Sequence, residues 1–464
     1  MHNLLMPSDQ KSHLKGGKSL NEWLCYLETI HETEIDLGLS RIRIVAQRLA
    51  IDLSFATVIT VAGTNGKGTT CAFLENALCR EHKHKDAAHS QLNVAVYSSP
   101  HIECFNERLR INHCDVDDIA FIKAFEQIEL ARDDISLSYY EFTTLAAFVV
   151  LMASKPEIII LEVGLGGRLD ATNIIDADVA VITSVDIDHQ AFLGNDRETI
   201  GFEKAGIMRA EQDIIVGDFT PPKSVLKHAS DINQALEPEK ISQALAKIKV
   251  RGKDFTIVDA INADNTLGFW QWQYRDQVKG EQQTFQIKQL IPTSIPRDNV
   301  ATALMVLKQL GVALTSEKVN RLIQQTKVAG RTEMFKFTCD VMLDVGHNPH
   351  AGRYLANQLS LLKTQHGYTN VIAVCAMLAD KDIKNTLSAL SQRVDYWYIA
   401  PLAVPRSATT EYTSEILGKF TQAINCFDNI TQAFKIASED AKPTDLILVF
   451  GSFFTVAEIR KLLI

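Results

Sequence analysis

Residues 61–69 read Val61-Ala62-Gly63-Thr64-Asn65-Gly66-Lys67-Gly68-Thr69, a glycine-rich turn between two regular elements. A β-branched segment at 57–60 precedes the turn, and apolar residues at helical spacing follow it at 73–78. This order predicts a strand, a turn and the start of a helix. Backbone N–H groups in such a turn close around an anion, the helix dipole favours negative charge, and the Lys67 ammonium adds a full positive charge. We therefore predict a phosphate-binding loop.

The spacing of this loop differs from the standard phosphate-binding pattern, which has four residues between its glycines and a hydroxyl residue directly after the lysine. Here only Thr64 and Asn65 separate Gly63 from Gly66, and a further glycine stands between Lys67 and the next hydroxyl residue. An ordinary glycine-rich turn without a ligand is the alternative interpretation. Such a turn needs neither the lysine nor the hydroxyl groups, so we favour phosphate binding.

Composition limits the class of protein. The chain has 464 residues, which predicts two domains by default, and its 46% hydrophobic and 22% charged residues are typical of a water-soluble globular protein. A net charge of −9 argues against non-specific nucleic-acid binding, which needs a basic face. Residues 1–18 contain no apolar core of a secretory signal, and the longest apolar stretch, at 142–153, is too short to span a bilayer.

The eight cysteines are scattered along the chain, with no Cys-x-x-Cys pair. This usage is typical of a reduced protein in which most thiols fill core volume. We therefore expect a cytoplasmic protein without a membrane or nucleic-acid partner. A monomer is the default expectation, because nothing in the sequence indicates an oligomer.

A repeated order of elements indicates the fold class. Short apolar, β-rich runs are followed by polar or glycine-rich turns and then by helical periodicity. Because the runs are continuously apolar, both faces of each strand must be covered, which is typical of a parallel sheet between two layers of helices. The runs occupy residues 58–62, 158–163, 179–185, 341–345, 371–377 and 446–450.

The strand–helix pattern restarts after residues 326–331, which follow two helical segments at 300–310 and 316–325. We therefore predict an α/β protein of two domains. Residues 1–328 would form an ATP-binding domain of the phosphate-loop type, with a mostly parallel sheet flanked by helices. Residues 329–464 would form a smaller α/β domain of the Rossmann kind.

Two further elements are predicted outside the strand pattern. Segment 218–295 mixes prolines, charges and aromatic residues, and we expect an excursion of the first domain with a β-meander around 269–274. An opening helix is predicted from an apolar stripe at helical spacing, which consists of Leu20, Trp23, Leu24, Leu27 and Ile30.

An insertion at 81–92 contains a cluster of histidines, His82, His84 and His89. Imidazole clusters can bind metal, but no carboxylate or thiol at suitable spacing completes a ligand set here. We therefore favour a solvated loop over a metal site.

Polar residues that follow the predicted strands indicate where chemistry takes place, because ligands of open parallel sheets bind beyond the carboxyl ends of the strands. Ser99 follows the run at 94–97, Glu162 follows the run at 158–161, and His189 follows the third run together with two aspartates. Each alone is better explained as a capping or internally bonded polar group. Together, one hydroxyl, one carboxylate and one imidazole form an incomplete Mg²⁺ shell that phosphate and water complete, as ATP chemistry requires.

Longer strings around these residues form one ordered set, namely VAGTNGKGTT (61–70), YSSPH (97–101), LEVGLGGRLDATN (161–173), DIDHQAFLG (186–194), EKAGI (203–207) and DVGHNPH (344–350). They resemble the strings of the folylpolyglutamate synthases. More closely, they resemble the bacterial bifunctional dihydrofolate synthase/folylpolyglutamate synthases, a family of the Mur ligase superfamily. The resemblance covers residues 20 to 464, and the unusual spacing of the phosphate loop is the family's own form.

The resemblance implies a role for each strand-end residue. Ser99, Glu162 and His189 would be Mg²⁺ ligands, with two Mg²⁺ sites in all. Lys204 would be the family's carbamylated lysine, in which a carboxylate-like anion replaces the cation and binds the second Mg²⁺; without the resemblance it would be interpreted as a surface lysine. Lys67, Lys204, His189 and His347 would be catalytic, and ATP would contact Gly63, Thr64, Asn65, Gly66, Lys67, Gly68, Thr69, Asn299, Arg331 and Asp344.

A pterin-binding segment is also implied by the resemblance. Aromatic side chains suit a flat pterin ring, which stacks on one face and forms hydrogen bonds at its edge. For Tyr139 and Tyr140 taken alone, an ordinary apolar helix start is an equal alternative. The implied pterin or folate contacts are Ser138, Tyr139, Tyr140 and Glu141 on one segment, and Leu169, Asp170 and Ala171 on another.

The resemblance implies an ADP-forming ligase that joins a carboxylate to an amine. Its substrates would be ATP, L-glutamate, and dihydropteroate or reduced folates. Polyglutamylation of folates alone, and a peptidoglycan Mur ligase acting on a UDP-sugar peptide, are alternatives within the superfamily. A phosphate-loop ATPase that switches partner binding is the alternative from another class, although it needs neither a pterin-like pocket nor a second domain with its own Arg331 and Asp344.

Overall fold

The computed structural model describes residues 17–33, 35–80, 91–234, 247–261, 267–278 and 281–464. The helices in these parts are α1 (Leu20–Leu27), α2 (Ser40–Arg48), α3 (Lys67–Leu78), α4 (Asp118–Arg132), α5 (Tyr139–Ser154), α6 (Gln190–Leu193), α7 (Arg197–Ala205), α8 (Lys223–Gln234), α9 (Arg297–Gln309), α10 (Ser316–Gln325), α11 (Pro349–His366), α12 (Ile383–Leu390), α13 (Thr410–Leu417), α14 (Ile430–Asp440) and α15 (Phe453–Arg460). The strands are β1 (Thr57–Ala62), β2 (Val94–Tyr97), β3 (Leu109–Ile111), β4 (Cys114–Asp115), β5 (Ile158–Glu162), β6 (Val179–Ile182), β7 (Asp213–Val216), β8 (Lys247–Val250), β9 (Phe255–Ile261), β10 (Leu267–Val278), β11 (Glu281–Leu290), β12 (Glu333–Lys336), β13 (Asp340–Asp344), β14 (Val371–Cys375), β15 (Tyr396–Ile399), β16 (Ile424–Cys426) and β17 (Leu446–Phe450).

The chain divides into two compact units. Among the described residues, those within 17–52 and 116–154 form the helical unit, and those within 53–115 and 155–464 form the main unit. All three sheets belong to the main unit. These two units do not divide the chain at residues 328/329, so the domain boundary predicted there stays a prediction.

The largest sheet has the strand order β4-β3-β2-β5-β1-β6-β7-β8. Strands β2, β5, β1, β6, β7 and β8 are parallel, while β3 and β4 add an antiparallel edge. The central strands β5, β1 and β6 are buried along almost their whole length, which explains their continuously apolar sequences. The predicted parallel sheet is therefore confirmed, and the phosphate loop leaves its centre.

A second sheet of order β12-β13-β17-β14-β15-β16 follows residue 332. It is parallel except at its β12 edge, and helices α11 to α15 connect and flank its strands. This sheet confirms the predicted second α/β region. The carboxyl end of β13 carries Asp344, so the predicted ligand-binding edge of this sheet includes a carboxylate.

The meander predicted around residues 269–274 is confirmed as the antiparallel sheet β11-β10-β9. Trp270 and Trp272 of β10 are buried and pack in one core with α3 and α9. The Trp270 indole N–H donates to the Ile291 carbonyl at 2.7 Å, which satisfies its polar edge.

The helical unit contains α1, α2, α4 and α5. A capping box begins α1, since Ser19 and Glu22 exchange side-chain and backbone hydrogen bonds. Trp23 of α1 lies 5.8 Å from the Phe125 ring of α4, measured between centroids, so the predicted apolar stripe is the buried face. The helix ends at Leu27, and Ile30 of the predicted stripe lies beyond it.

The apolar stretch at 142–153 is the buried α5, as predicted, and no helix in the described residues is long and apolar enough to cross a membrane.

Two predicted strands are shorter than their apolar runs, and the reason is local. After Ile182, the Thr183 and Ser184 hydroxyls donate to the Asn65 carbonyl at 2.7 and 3.0 Å, so residues 183–185 support the phosphate loop instead of extending β6. After Cys375, the chain bonds to residues 406–408 and leaves β14.

The histidines His82, His84 and His89, and most of the first 18 residues, lie outside the described residues.

Candidate active site

The phosphate loop has a backbone that only glycine fits at two positions. Gly63 and Gly66 have φ of +154° and +89°, in the region that side chains disfavour. A Cβ atom at Gly63 would lie 1.8 Å from the Thr183 hydroxyl, and one at Gly66 would lie 2.3 Å from the Asn299 side-chain oxygen. Helix α3 begins at Lys67 directly after the turn, so the first N–H groups of the helix face the loop.

Lys67 and Thr69 are held in place from two sides. The Lys67 ammonium donates to the Gly63 carbonyl at 3.0 Å, and the Asn299 side chain donates to the Thr69 hydroxyl at 2.6 Å. Burial lowers the pKa of Lys67, while the negative charge of Glu162 opposes that shift. The loop therefore combines a buried cation with backbone donors, as the sequence predicted for phosphate.

Glu162 ends β5 opposite the loop and is 5% exposed. Burial raises the pKa of its carboxyl group, and the charges of Lys67 and Arg331 and the backbone N–H of Ser99 lower it. A Cβ atom on Gly68 would lie 3.6 Å from one Glu162 oxygen, so this glycine lies directly beside the carboxylate. A buried carboxylate beside a phosphate loop is a suitable cation ligand.

His189 and Asp188 follow β6 and face residues of the second sheet. Asp188 accepts from the Lys381 ammonium at 3.1 Å and from the Asn348 amide at 2.9 Å. Burial would raise the pKa of Asp188, but His347 and Lys381 hold it well below its usual range. Burial lowers the pKa of His189 to about 4, so its imidazole is neutral near pH 7 and available as a ligand.

Lys204 is buried, contrary to the interpretation of a surface lysine, and is 3% exposed near the end of α7. Burial, together with the positive charge of Lys67, lowers its pKa to about 7. No described residue forms a hydrogen bond or ion pair with its amine. The neighbouring Glu203 is fixed by Arg168 through an ion pair of 2.8 Å, which positions this turn of α7.

Arg331 and Asp344 come from the segment that enters the second sheet and from the end of β13. The Asp344 carboxylate accepts the backbone N–H groups of Thr332 at 2.9 Å and Gly346 at 2.7 Å. Burial raises the pKa of Asp344, and burial lowers that of Arg331, while each charge opposes the shift of the other. His347 Nδ1 donates to the Val345 carbonyl at 2.9 Å, and its Nε2 faces the Asp188 carboxylate at 3.7 Å.

Three cavities meet at Gly68 and Arg331, which line all of them. The small cavity, of about 100 Å³, and the large cavity, of about 680 Å³, together contain every predicted ATP-binding, metal-binding and catalytic residue. The side cavity, of about 440 Å³, lies beyond Glu162 and reaches Glu75 and Lys327. The small cavity brings together Gly63, Thr64, Asn65, Gly66, Lys67, Gly68, Ser99, Glu162, His189, Lys204, Arg331 and His347, and the large cavity adds Thr69, Asn299 and Asp344.

The residues predicted to contact a pterin belong to both units. In the helical unit, Glu141 is buried and accepts from the Ser138 backbone N–H at 2.8 Å and from Arg41 at 3.2 Å. Its carboxylate therefore holds the start of α5, with Tyr139 and Tyr140 as the first residues of that helix. In the main unit, Asp170 accepts from the Leu165 N–H at 2.8 Å and from the Thr172 hydroxyl at 2.6 Å, between Leu169 and Ala171.

Several residues of the second sheet were missed by the sequence reasoning. Lys381 lies near Asp188 and His189, with its Nζ 3.4 Å from the His189 ring. Asn348 exchanges hydrogen bonds of 3.1 and 3.2 Å with Asn65 of the phosphate loop, and Arg353 pairs with Asp186 at 2.8 Å. The strand-end rule would have found Lys381, which follows β14, had it been applied to the second sheet as well.

Comparison with known proteins identifies the family. The Mur ligase middle domain model matches residues 61–219, and the model for the Mur ligase, glutamate ligase domain matches residues 330–453. The dihydrofolate synthase/folylpolyglutamate synthase of Escherichia coli K12 is 39% identical over 449 residues, 97% of this chain and 96% of that protein. The chain belongs to the dihydrofolate synthase/folylpolyglutamate synthase family. The Haemophilus influenzae member is 38% identical over 464 residues, 96% of this chain and 98% of that protein.

Solved structures of the dihydrofolate synthase/folylpolyglutamate synthase family have the same fold. E. coli FolC in complex with DHPP and ADP superposes with a TM-score of 0.82 at 39% identity, covering 96% of this chain and 97% of that one. A bifunctional folylpolyglutamate synthase/dihydrofolate synthase with Mn, AMPPNP and L-glutamate bound gives a TM-score of 0.80 at 39% identity, covering 96% and 98%. The predicted family and fold are confirmed, and the chain is an ATP-dependent ligase.

Proposed function

We propose that this chain ligates L-glutamate to dihydropteroate, giving dihydrofolate, and to the glutamyl tail of reduced folates, with release of ADP and phosphate. The meeting of three cavities at Gly68 and Arg331 carries this proposal, because such a ligase must bring a nucleotide, a carboxylate and an amine to one point. Related structures support it, since they hold ADP with DHPP, or AMPPNP with Mn and L-glutamate.

The reaction would have two steps. A carboxylate oxygen of the acceptor attacks the γ-phosphorus of ATP, ADP leaves, and an acyl phosphate forms. The glutamate amine then attacks the acyl carbon, and phosphate leaves with the former carboxylate oxygen. Lys67, the loop N–H groups and Arg331 would neutralise and orient the phosphates, which is most of what phosphoryl transfer requires. His347, whose Nε2 lies 3.7 Å from the Asp188 carboxylate in the same cavity, would take part in removing the proton that the attacking amine loses.

The side chains at this site would supply part of the ligand shell of a magnesium ion. Among the described residues, no three His, Cys, Asp or Glu side chains form a complete metal site. The Glu162 carboxylate, the Ser99 hydroxyl and the neutral His189 line one cavity with the phosphate loop, which suits an ion that keeps phosphate and water as its other ligands. We propose these three residues as its ligands; the bound ion would neutralise the charge that develops on the transferred phosphate.

We also propose that Lys204 carries a carbamate, which would serve a second magnesium ion. A buried amine with a pKa of about 7 is roughly half neutral at pH 7. Only the neutral amine attacks carbon dioxide. Carbamylation would convert an isolated buried cation into an anion beside Lys67. This removes the electrostatic conflict between the two lysines that lowers the pKa of Lys204.

The recovery of activity with bicarbonate should depend on pH. If the enzyme is freed of carbon dioxide and then mixed with a fixed concentration of dissolved carbon dioxide, the rate of reactivation should rise with pH and level off above about 7, as the amine loses its proton. The measurement is ligase activity against time after mixing, at several pH values. Full activity in carbon dioxide-free buffer at every pH would contradict the carbamate.

We propose that Ser138, Tyr139 and Tyr140 at the start of α5 contact the pterin ring. We propose separately that residues 169–171 contact the pterin or folate substrate. The aromatic side chains would supply a stacking surface. Glu141 would act indirectly, because its carboxylate is already engaged by Ser138 and Arg41. Asp170 is likewise bonded to the backbone around it, so it shapes the loop that would approach the pterin.

Contacts between the phosphate loop and the second sheet support a closed, water-excluding state, which would protect the acyl phosphate from hydrolysis. Replacing Asn348 with aspartate keeps the N-cap acceptor of α11 but places a negative charge against Asp188 and Asn65. We expect kcat/KM to fall about 100-fold and the closed state to open. The new carboxylate cannot donate hydrogen bonds to Asn65 and Asp188, and it is repelled by the Asp188 carboxylate. Kinetics and X-ray scattering with AMPPNP would measure both effects.

Asn429→Asp is the matched control, since Asn429 caps α14 in the same way but lines none of the three cavities. It should change neither the kinetics nor the scattering profile. Wild-type scattering profiles that superimpose with and without nucleotide and substrate would contradict closure.

The competing functions are separated by substrate dependence. ADP release should require glutamate together with dihydropteroate or tetrahydrofolate, and mass spectrometry should find the product one glutamyl residue heavier. Product from tetrahydrofolate but not from dihydropteroate would reduce the function to polyglutamylation. Release that depends on a UDP-sugar peptide would indicate a peptidoglycan ligase, and release without any amine acceptor would indicate an ATPase switch.

We infer a cytoplasmic monomer whose catalytic cleft lies at the predicted 328/329 boundary. All eight cysteines are unpaired, as expected in a reducing compartment. Residue 330 begins the match to the glutamate ligase domain model, and β12 begins at Glu333, which supports the boundary. Light scattering of the purified protein would measure the mass in solution.

A further inference from the structure

Phe219 is an exposed aromatic side chain at the wall of the large cavity. It lies in the loop that follows β7 and is 59% exposed, so its ring gains little from the protein's own packing. The same cavity contains Asn65 and Gly66 of the phosphate loop. Lys67 and Arg331 act on the phosphates of ATP, whereas the base of the nucleotide needs a surface of its own.

Arg251 lies over one face of the Phe219 ring. Its guanidinium carbon is 5.6 Å from the ring centroid, within the range of a cation–π contact. A Cβ atom on Gly252 would lie 3.2 Å from the same ring, so the backbone after β8 also packs against Phe219. Because more than half of the Phe219 side chain is still exposed and lines the cavity, its other face is open to a ligand.

The Arg251 guanidinium is fixed at the ring. It pairs with Asp298 at 2.7 Å, and the Arg251 side chain is only 12% exposed. A second contact joins the guanidinium to the Gly217 carbonyl at 3.5 Å. The cation is therefore held behind the phenyl ring before any ligand binds.

The loop that carries Phe219 is held on both sides of the ring. The Asp218 carboxylate accepts the backbone N–H groups of Val185 and Thr220, each at 2.8 Å. It also pairs with Arg197 at 3.2 Å. These bonds fix the residues before and after Phe219, so the ring is preorganised for a ligand.

The position of Phe219 fits the length of a nucleotide. The phosphate loop leaves β1, and Phe219 follows β7, which lies beyond β6 in the order β1-β6-β7. Neighbouring strands are about 4.8 Å apart, so the ends of β1 and β7 are about 10 Å apart. A nucleotide bound by its phosphates at the loop can therefore place its base at Phe219, across the carboxyl ends of the strands.

We propose that Phe219, supported by Arg251, is the platform on which the base of ATP stacks. This inference rests on the proposed nucleotide site. Stacking on an aromatic ring accepts any base, because every base has a π face, and it favours purines, whose fused rings cover more of the phenyl surface. Phe219 thus contributes affinity for the base and a preference for purine nucleotides, while the phosphates are bound elsewhere.

The test compares a ligand that has a base with one that lacks it. Calorimetry would measure the binding of ADP and of tripolyphosphate, both with Mg²⁺, to the wild type and to Phe219→Ala, Phe219→Trp and Arg251→Met variants. We expect the ADP Kd to rise about 10-fold in Phe219→Ala and about three-fold in Arg251→Met. Phe219→Trp should bind ADP at least as tightly as the wild type. The tripolyphosphate Kd should be the same in all four proteins, which also shows that the phosphate loop is folded.

Steady-state kinetics give a second readout. Phe219→Ala should raise the KM for ATP about 10-fold with little change in kcat, because the stacked base contributes equally to ground-state and transition-state binding. The preference of the wild type for ATP over CTP should shrink in the same variant. A fall in kcat with an unchanged KM for ATP would contradict the platform.

Phe269→Ala is the matched control, because Phe269 is 50% exposed on β10 and lines none of the three cavities. It should bind ADP as the wild type does. An unchanged ADP affinity in Phe219→Ala would overturn the platform alone. An equal loss of affinity for ADP and tripolyphosphate would also overturn it, since the substitution would then act on the phosphate loop. Failure of the wild type to bind ADP would overturn the proposed nucleotide site itself.

Discussion

Replacing Lys204 with alanine should lower ligase turnover by about 1,000-fold, the scale on which removal of a preorganised charged group at a phosphoryl-transfer site is felt. The amine is buried, lacks a hydrogen-bond partner among the described residues, and has a pKa of about 7. A buried amine without a partner costs folding free energy, and a strongly lowered pKa in a cavity is typical of a functional group. The measurement is steady-state ADP release with dihydropteroate and glutamate.

Chemical rescue distinguishes the carbamate from a role as a cation. Acetate or propionate should restore part of the turnover of Lys204→Ala, because a short carboxylate can occupy the space of the missing carbamate. The Lys204→Met variant fills that space, so it should be inactive and should not be rescued. Lys435→Ala, at an exposed position, should behave as the wild type. Rescue by methylamine but not by acetate would show that a cation is needed and would refute the carbamate.

Replacing Glu162 with glutamine should abolish ligation while leaving the protein folded. The substitution keeps shape and volume but removes the anion that faces Lys67 and the phosphate loop, so the proposed metal site loses its carboxylate. We expect turnover to fall by at least about 100-fold, and the Mg²⁺ concentration for half-maximal activity to rise. Because burial already disfavours the charged form of Glu162, the thermal midpoint of the ligand-free protein should not fall.

Glu157→Gln supplies the matched control for Glu162. Glu157 lies at the opposite end of the same strand, where it accepts the Asn93 backbone N–H at 2.6 Å. Its replacement should leave the magnesium dependence unchanged. Turnover of Glu162→Gln near the wild-type value would remove Glu162 from the metal site.

The sequence predicted well the site residues that directly follow a strand, because ligands of parallel sheets bind at the carboxyl ends of the strands. Parallel strands end at the same edge, so Ser99, Glu162 and His189 could be placed together without knowledge of any side-chain contact. The glycines of the phosphate loop were equally predictable, because backbone approach to an anion requires them. These residues line one small cavity in the structure.

Partnerships between distant segments could not be predicted in this way. Asp188 is bound by Lys381, which is 193 residues away along the chain, and nothing in either local sequence specifies the other. The burial of Lys204 depends on packing of the α7 end against the turn at Gly167 and Arg168, and the sequence shows only a lysine in a helical segment. Glu141 was predicted as a pterin contact, but its bond to Arg41 depends on how α2 and α5 pack.

A single isotope-labelling measurement examines ligation through an acyl phosphate. Dihydropteroate labelled with ¹⁸O in both carboxylate oxygens would be incubated with the protein, ATP, Mg²⁺ and L-glutamate, and the products would be analysed by mass. We predict dihydrofolate that retains one ¹⁸O in the new amide, and released phosphate that contains one ¹⁸O. Unlabelled phosphate, or ADP release without any dihydrofolate, would contradict the proposed reaction.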